Sequence, residues 1–451
     1  MIPYKIVRLS GTHYPSISEV IINTYPGFIG STYREQLDYL FQHKALYSDS
    51  FSRSMQALGN QAEEIVWDLE ITQKTWASEN GIRFSSDNWA LEILFAQIEK
   101  YRPNVVYFQG TELCVPGRFP GIERGGNIPT ILKERFPFIR LVAMFSGFPS
   151  LVSRVKGVDL LFACTPAIVD HYRTAGLDSV LCYHAFDEGV LTAFEGKQEA
   201  IYDVTFVGST QAPGERYWML RELIEHTPLR LWTDSRDEDE ARKYYLREVK
   251  KTVKQSVRTQ IRNQARSILE FWEKKRLKRI AESSLAPAGL RNVIDEMLSE
   301  KISAQSRGDN LALKMPRRLP RKNLRELFPD RCTSPVSGLD YYTVVGKSRI
   351  SFNKHADRSL GNIGNLRLFE ATGMGSCLLT DYGQNIHDLF EPDAEVVAYR
   401  SVGEAINKIC FLLENESARQ AVAIAGQKKT LRSHTIRNRC ELINDEIRMR
   451  L

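Results

Sequence analysis

The 451-residue sequence predicts an α/β protein built on two parallel sheets. Three observations predict it. Short β-branched or aromatic runs alternate with longer amphipathic stretches through the first 187 residues. A second series of the same kind starts at Tyr202-Asp-Val-Thr-Phe-Val-Gly208 and resumes at Tyr341. Between Arg349 and Asp381 the order is strand, Gly/Asn loop, short helix, strand. Strands that alternate with helices pair in parallel, because each crossover helix returns the chain to the same end of the sheet. At this length a single core is not expected, and two or three domains are the default.

In the first series, Lys5–Ser10 is a strand and Gly11-Thr-His13 the loop after it. Residues 32–58 read as helical, with Leu37, Leu40 and Phe41 in register, and Leu58-Gly59 stops them. Glu64–Asp68 is the next strand. Trp89–Tyr101 is an amphipathic helix ended by Pro103. Strands follow at Val105–Gln109, Ile139–Phe145, Val158–Cys164 and Val180–Ala185, with a helix at Ile168–Ala175 capped by Gly176. This makes a Rossmann-like domain over residues 1–187, and Phe186–Ala200 reads as the linker. The second domain covers 201–434. Its early part is strand Tyr202–Gly208, loop Gly208-Ser209-Thr210, helix Glu215–Glu225 and strand Leu229–Thr233. After Asp381 come Ile386–Phe390, strand Val396–Tyr399 and helices Val402–Glu414 and Ser417–Leu431. A last helix lies within 435–451.

Residues 235–339 interrupt that second series. The net charge of +6 is concentrated there: Ala241–Arg279 holds 14 Lys/Arg against 3 Asp/Glu, which leaves the remainder of the chain near −5. Val249, Val253, Val257 and Ile261 recur four apart beside Lys250, Lys254, Arg258 and Arg262, the spacing of a long amphipathic helix. Two readings stand: a solvated helical arm, or a segment docking on anionic lipid or an acidic partner. Nucleic acid ranks below both, since no recognised binding motif accompanies the charge.

Other features exclude whole classes. The seven cysteines form no Cys-x-x-Cys pair and no Cys/His cluster at zinc spacing, so reduced, mostly buried thiols of a cytoplasmic chain are expected. The N-terminal MIPYKIVRLS is a strand pattern rather than a signal peptide, and no apolar run reaches the roughly 18 residues of a membrane span. Val345-Gly-Lys-Ser348 resembles the end of a P-loop, but the required first glycine is Tyr341. Asp237-Glu-Asp239 has metal-binding spacing, yet it opens the basic helix, where acidic side chains suit the dipole. No metal or cofactor is expected.

The chemistry gathers at Arg349–Asp381. A Gly/Asn loop with Gly361 and Gly364 that opens a helix at Asn365 can present backbone N–H groups to an anion. Glu370 lies within that helix, placed to take a neutral diol beside the anion. One helix end for phosphates and one carboxylate for hydroxyls is what a nucleotide-sugar site needs. Gly208 and Ser209 follow a parallel strand and face the ligand crevice, where Arg216 and Arg367 can neutralise a diphosphate. Asn353 and His355 end a strand at the same sheet edge. In the first domain His13 is a candidate general base, Glu112 is an alternative base or acceptor ligand, and His184 is either a core histidine or a cleft residue.

At NLRLFEATGMGSCLLTD, followed by VVAYRSVGEAINKI, the sequence resembles the C-terminal half of CgeB-like glycosyltransferases, which have the GT-B fold. The resemblance is specific over about residues 341–443, weaker around 203–223 and faint before that. In the wider nucleotide-sugar glycosyltransferase class a Glu stands eight residues before a second Glu-Ala with Gly following. Glu370-Ala371 with Gly375 matches the second half, and that Glu is implied to bind the donor ribose. The earlier position is Asn362. CgeB-like sequences also carry a strand-Gly-Ser stretch followed by Arg, matching Gly208, Ser209 and Arg216. HTIRNRCELI is similar to the segment that crosses back to the first domain in GT-B folds. The resemblance implies a metal-independent, hexosyltransferase-like enzyme. It would move a sugar from a nucleotide-diphosphate donor to a saccharide, lipid-linked or protein acceptor, in envelope or surface polysaccharide synthesis. A sugar epimerase and an inactive scaffold or surface-layer protein are the rivals, the latter favoured by Asn362.

Overall fold

The structure is a computed structural model and describes residues 3–11, 24–25, 27–44, 48–114, 127–194, 199–210, 215–233, 322–355 and 361–451. Contacts divide the chain into two compact units. One is Met1–Thr210, Trp218–Asp234 and Phe328–Leu451; the other is Gln211–Tyr217 and Ser235–Leu327. Both sheets belong to the first unit. His13 and the basic stretch 241–279 lie outside the described residues.

The first sheet contains β1 (Lys5–Ser10), β2 (Gln61–Val66), β3 (Val105–Phe108), β4 (Leu141–Ser146), β5 (Leu160–Ala163) and β6 (Ser179–Leu181). The order is β2-β1-β3-β4-β5-β6, and every pairing is parallel. The second contains β7 (Tyr202–Val207), β8 (Leu229–Trp232), β9 (Cys332–Thr333), β10 (Ser348–Asn353), β11 (Cys377–Asp381) and β12 (Val397–Tyr399). Its order is β12-β11-β10-β7-β8-β9, again all parallel. Two six-stranded parallel sheets flanked by helices are the α/β, GT-B architecture that the sequence predicts. Near-continuous apolar runs such as Leu141–Phe145 and Cys377–Leu379 follow from burial on both faces.

Several boundaries differ from the sequence reading for identifiable reasons. Residues 32–58 form two helices rather than one. α1 (Tyr33–Gln42) starts on a Thr32/Glu35 capping box, and α2 is Ser50–Ala57. Lys44, at φ 53°, breaks the helical path between them. α3 (Glu70–Glu79) gave no periodic signal because polar Thr72 and Gln73 share its buried face with Trp76 and Ala77. Gln73 is accommodated there by donating to the Val66 carbonyl at 2.9 Å. α4 is Trp89–Tyr101, as expected, and α5 (Ile128–Arg135) is a short helix begun by Pro129 that the sequence did not signal. α6 is Pro166–Thr174 and α7 is Glu215–His226. Cys332–Thr333, placed by sequence inside the interruption, extends the second sheet by pairing with Leu231 and Trp232.

The remaining helices are α8 (Gly338–Gly346), α9 (Leu366–Gly373), α10 (Val402–Glu414), α11 (Glu416–Ser433) and α12 (Ile436–Arg448). α12 buries Cys440, Ile443 and Ile447 in the core of the first sheet, beside Phe51 and Tyr107. The chain crosses at Phe186, whose N–H donates to the His434 carbonyl at 2.8 Å and whose carbonyl accepts from Ile436 at 2.9 Å. The Phe186 ring occupies the space where a Cβ on Gly373 would stand, so that glycine is required by close approach. Among the described residues no helix is long and apolar enough to cross a membrane.

Candidate functional site

In an open parallel sheet, ligands bind beyond the carboxyl ends of the strands, where the strand order reverses. In the second sheet that point lies between β7 and β10. β7 is followed by Gly208 and Ser209, and β10 ends at Asn353 and is followed by Lys354 and His355. α9 begins above the same edge, with Asn365 as its N-cap.

Arg367 fills the crevice. One terminal nitrogen donates to Asn353 Oδ1 at 2.9 Å, and the guanidinium carbon stands 4.9 Å above the Phe206 ring. The other terminal nitrogen lies against Gly208, where a Cβ would collide with it. Gly208 has φ +147°, a conformation that side chains also disfavour. Arg367 Nε is buried and has no hydrogen-bond partner among the described residues. The guanidinium is therefore fixed in place between Asn353, the Phe206 ring and the Tyr341 hydroxyl.

Asn353 joins these parts. Its amide pairs reciprocally with that of Asn365, at 3.2 and 2.9 Å, and donates to Thr380 Oγ1 at 3.0 Å. Its carbonyl accepts from the Tyr399 hydroxyl at 2.8 Å. Because the Asn365 side chain is turned to Asn353, it makes no cap bond to its own helix. The first-turn N–H groups of α9 thus receive no side-chain cap from it.

Glu370 stands one turn after Arg367 on α9. It is buried and accepts from the Tyr341 hydroxyl at 2.6 Å and the Tyr342 hydroxyl at 3.2 Å. Burial pushes its carboxyl above the usual range, against the opposing pull of Tyr341, Arg367 and Tyr342. Burial likewise raises both phenols, and the neighbouring carboxylate adds to the effect. A carboxylate with two filled acceptor directions retains two others for hydroxyl donors.

His355 is buried between β11 and the loop before α9. Its Nδ1 stands 2.7 Å from Asp381 Oδ1, and its backbone N–H donates to both Asp381 oxygens at 3.0 and 3.2 Å. The N–H groups of Gly364 and Asn365 point at Nε2, at 3.2 and 3.4 Å. Burial works to raise the Asp381 carboxyl, but His355, and then Lys354 at 3.1 Å, hold it well below the carboxylate range. Ile363 is clamped by Asn385, which accepts from its N–H at 2.8 Å and donates to its carbonyl at 2.7 Å. Asn362, where the wider class has Glu, is buried in this loop.

Not all the sequence candidates come together. Gly208, Asn353, His355, Gly364, Asn365, Arg367 and Glu370 form one connected constellation, with Ser209 and Asn362 adjoining it in the chain. Arg216 is buried in the first turn of α7 and belongs to the second compact unit, whereas this site is built from the first alone. Glu112 is exposed in a single turn after β3, with its carboxylate against Gly110. His184 is half-buried beside Gly147 at the end of β4, edge-on to the Phe145 ring. Asp381, Tyr341 and Tyr342 were not singled out from sequence. An acidic strand end next to a strand ending in Lys-His was a signal for Asp381; nothing local marked the tyrosines. Among the described residues no group of three or more His, Cys, Asp or Glu side chains is placed to hold a metal ion.

Comparison with known proteins agrees with this architecture. A family model described as Glycosyl transferase-like matches residues 310–445. A search of the curated proteins finds no match. Among solved structures, Anabaena Alr3699/HepE in complex with UDP-glucose superposes with a TM-score of 0.50 at 10% identity, over 99% of this chain and 100% of that one. Sucrose-phosphate synthase from Thermosynechococcus elongatus gives 0.48 at 9% identity, over 99% and 98%. A glycosyltransferase from Rickettsia africae gives 0.48 at 10%, over 99% and 98%.

Proposed function

We propose that this chain is a CgeB-like glycosyltransferase that moves a sugar, hexose-like, from a nucleoside-diphosphate donor to a saccharide, lipid-linked or protein acceptor. The observation that carries this reading is the pairing of Arg367 and Glu370 on one turn of α9, at the reversal point of a parallel sheet. The guanidinium and the first-turn N–H groups of α9 suit a diphosphate, and Glu370 suits the ribose hydroxyls one turn away. Support comes from the family match over residues 310–445 and from HepE, which shares the fold and was solved with UDP-glucose. As the glycosidic bond to the leaving diphosphate breaks, negative charge grows on its oxygens. Arg367 and the helix end are fixed in advance to meet that charge, so transfer proceeds without a metal. His13 or Glu112 serves as base toward the acceptor hydroxyl. The Ala241–Arg279 stretch holds the enzyme on an anionic membrane surface where envelope acceptors are found.

The test is a thermal-shift screen of nucleoside diphosphates, followed by turnover in the presence of a chelator. A bound ligand at a hundredfold excess over Kd stabilises by about 2.7 kcal/mol. One nucleoside diphosphate is expected to raise Tm, and its release from the sugar donor is expected to require an acceptor. Turnover with no acceptor would indicate epimerisation or hydrolysis, and no binding at all an inactive scaffold. For the basic stretch, co-sedimentation with anionic vesicles is expected at low salt and not at high salt, and not after deletion of residues 241–279. Each docked Lys or Arg contributes about 1 kcal/mol.

A further inference from the structure

We propose that His355 is a positioning residue: held in one tautomer by Asp381, it holds the loop that opens α9 in its donor-binding form and does not itself touch the donor. This rests on the nucleoside-diphosphate reading of the same site. His355 is 3% exposed, and both ring nitrogens are committed. Two backbone N–H groups, from Gly364 and Asn365, converge on Nε2. A nitrogen facing two donors must offer a lone pair, so the ring proton sits on Nδ1 and is donated to Asp381. Lys354 and Thr380 in turn fix the carboxylate, at 3.1 and 3.4 Å.

The consequence is geometric. The N–H groups of Gly364 and Asn365 are spent on the protein, not on an anion. What they secure is the direction in which the chain enters α9. Asn385 grips Ile363, and Gly364 lies so close to the Cys164 carbonyl that a Cβ would meet it. His355 is the anchor that reaches the last two residues before the helix. With those fixed, the Asn365 side chain reaches Asn353, Arg367 is aligned over Phe206, and the N–H groups of Leu366 and Arg367 follow in the first turn. A site ordered before its ligand arrives does not spend binding energy on ordering the loop.

Three substitutions separate this role from that of a simple partner for Asp381. In His355→Gln the side-chain oxygen reaches the Nε2 position and still accepts from Gly364 and Asn365, while the donation to Asp381 is lost. In His355→Asn the amide reaches Asp381 but not the loop. His355→Ala loses both. Binding is read by calorimetry with whichever of UDP, ADP, GDP, CDP and TDP the wild-type chain binds. Affinity is expected to fall about tenfold or more in His355→Ala and His355→Asn and to stay within about threefold of wild type in His355→Gln. Rescue by Asn and not Gln, or unchanged affinity in Ala, overturns the proposal. Wild-type protein that binds none of the five removes the parent reading and this role with it. Should the variants not fold, amide exchange in the unliganded wild type decides. The Gly364 and Asn365 amides are expected to be protected, and exchange at the rate of an open loop overturns the assignment.

Discussion

Gly208 and Arg367 occupy one small space, and neither tolerates a change in the other. Gly208 combines φ +147° with a guanidinium nitrogen where its Cβ would be. In Gly208→Ala the methyl group displaces Arg367 from the Phe206 ring and from Asn353. The expected result is a loss of nucleoside-diphosphate affinity of roughly 1.5–3 kcal/mol, the scale of a hydrogen bond to a charged group. Nucleoside affinity should change much less. Titrating both ligands into the variant checks this; equal losses would mean that Arg367 supports the fold rather than the diphosphate. Gly208, Asn353, Arg367 and Glu370 were legible in the sequence because strand ends and a helix start identify themselves locally. The use made of them was not. That Gly364 and Asn365 donate to His355 is a contact across 9 and 10 residues, which no spacing rule contains. Tyr341 and Tyr342 reach Glu370 across 29 and 28 residues, a purely tertiary contact.

Single elements were legible to the degree that one face of each is apolar. α4 and α10, with continuous apolar stripes, match their expected ranges, whereas α3 hid behind buried Thr72 and Gln73. β9, two residues long, carried no pattern at all. The junction between α11 and α12 has a property that sequence does not show. His434 is buried there, its Nε2 2.9 Å from the Leu389 carbonyl and its Nδ1 facing an Arg439 nitrogen at 2.9 Å. Burial, and then the Arg439 charge, push its pKa down to about 4. The ordinary value is about 6.5. Between those values the unfolded chain binds the proton that the folded chain refuses, so stability rises with pH across this window. The contribution is complete above about 6.5 and lost as pH falls toward 4, and its full size is on the order of 3 kcal/mol. Tm measured from pH 7 to 4.5 is expected to fall less steeply in His434→Gln than in the wild type. Parallel slopes would place the acid sensitivity elsewhere.

At the scale of the whole molecule, the two-sheet architecture follows from alternation and length, while the way the sheets are tied together required the structure. Residues 43 and 44, just past α1, meet the start of α8 and Asp187. The His43 carbonyl accepts from the Leu339 N–H at 3.2 Å, and Gly338, at φ +59°, lies where a Cβ would strike that carbonyl. Lys44 Nζ stands 2.9 Å from Asp187 Oδ2, with both side chains more than nine-tenths buried, and Ser50 donates to the other oxygen. Burial works to raise the Asp187 carboxyl, but Lys44 and the serine hydroxyls hold it below its usual range. A buried pair of this kind contributes little over an apolar substitute, yet removing one partner leaves a charge without compensation, at a cost of about 3–5 kcal/mol. Asp187→Asn keeps the shape and the side-chain oxygen that accepts from the Gly189 N–H, removes the charge, and turns the oxygen facing Lys44 into an amide donor. It is expected to lower the urea midpoint strongly, toward the upper end expected for a single substitution. Lys44→Met/Asp187→Asn should recover most of that loss, since no buried ammonium is then left unpaired. If Asp187→Asn is as stable as the wild type, water reaches Lys44 and the junction is open. If the double variant is no better than the single one, the ion pair is not what holds residue 187 against residue 44.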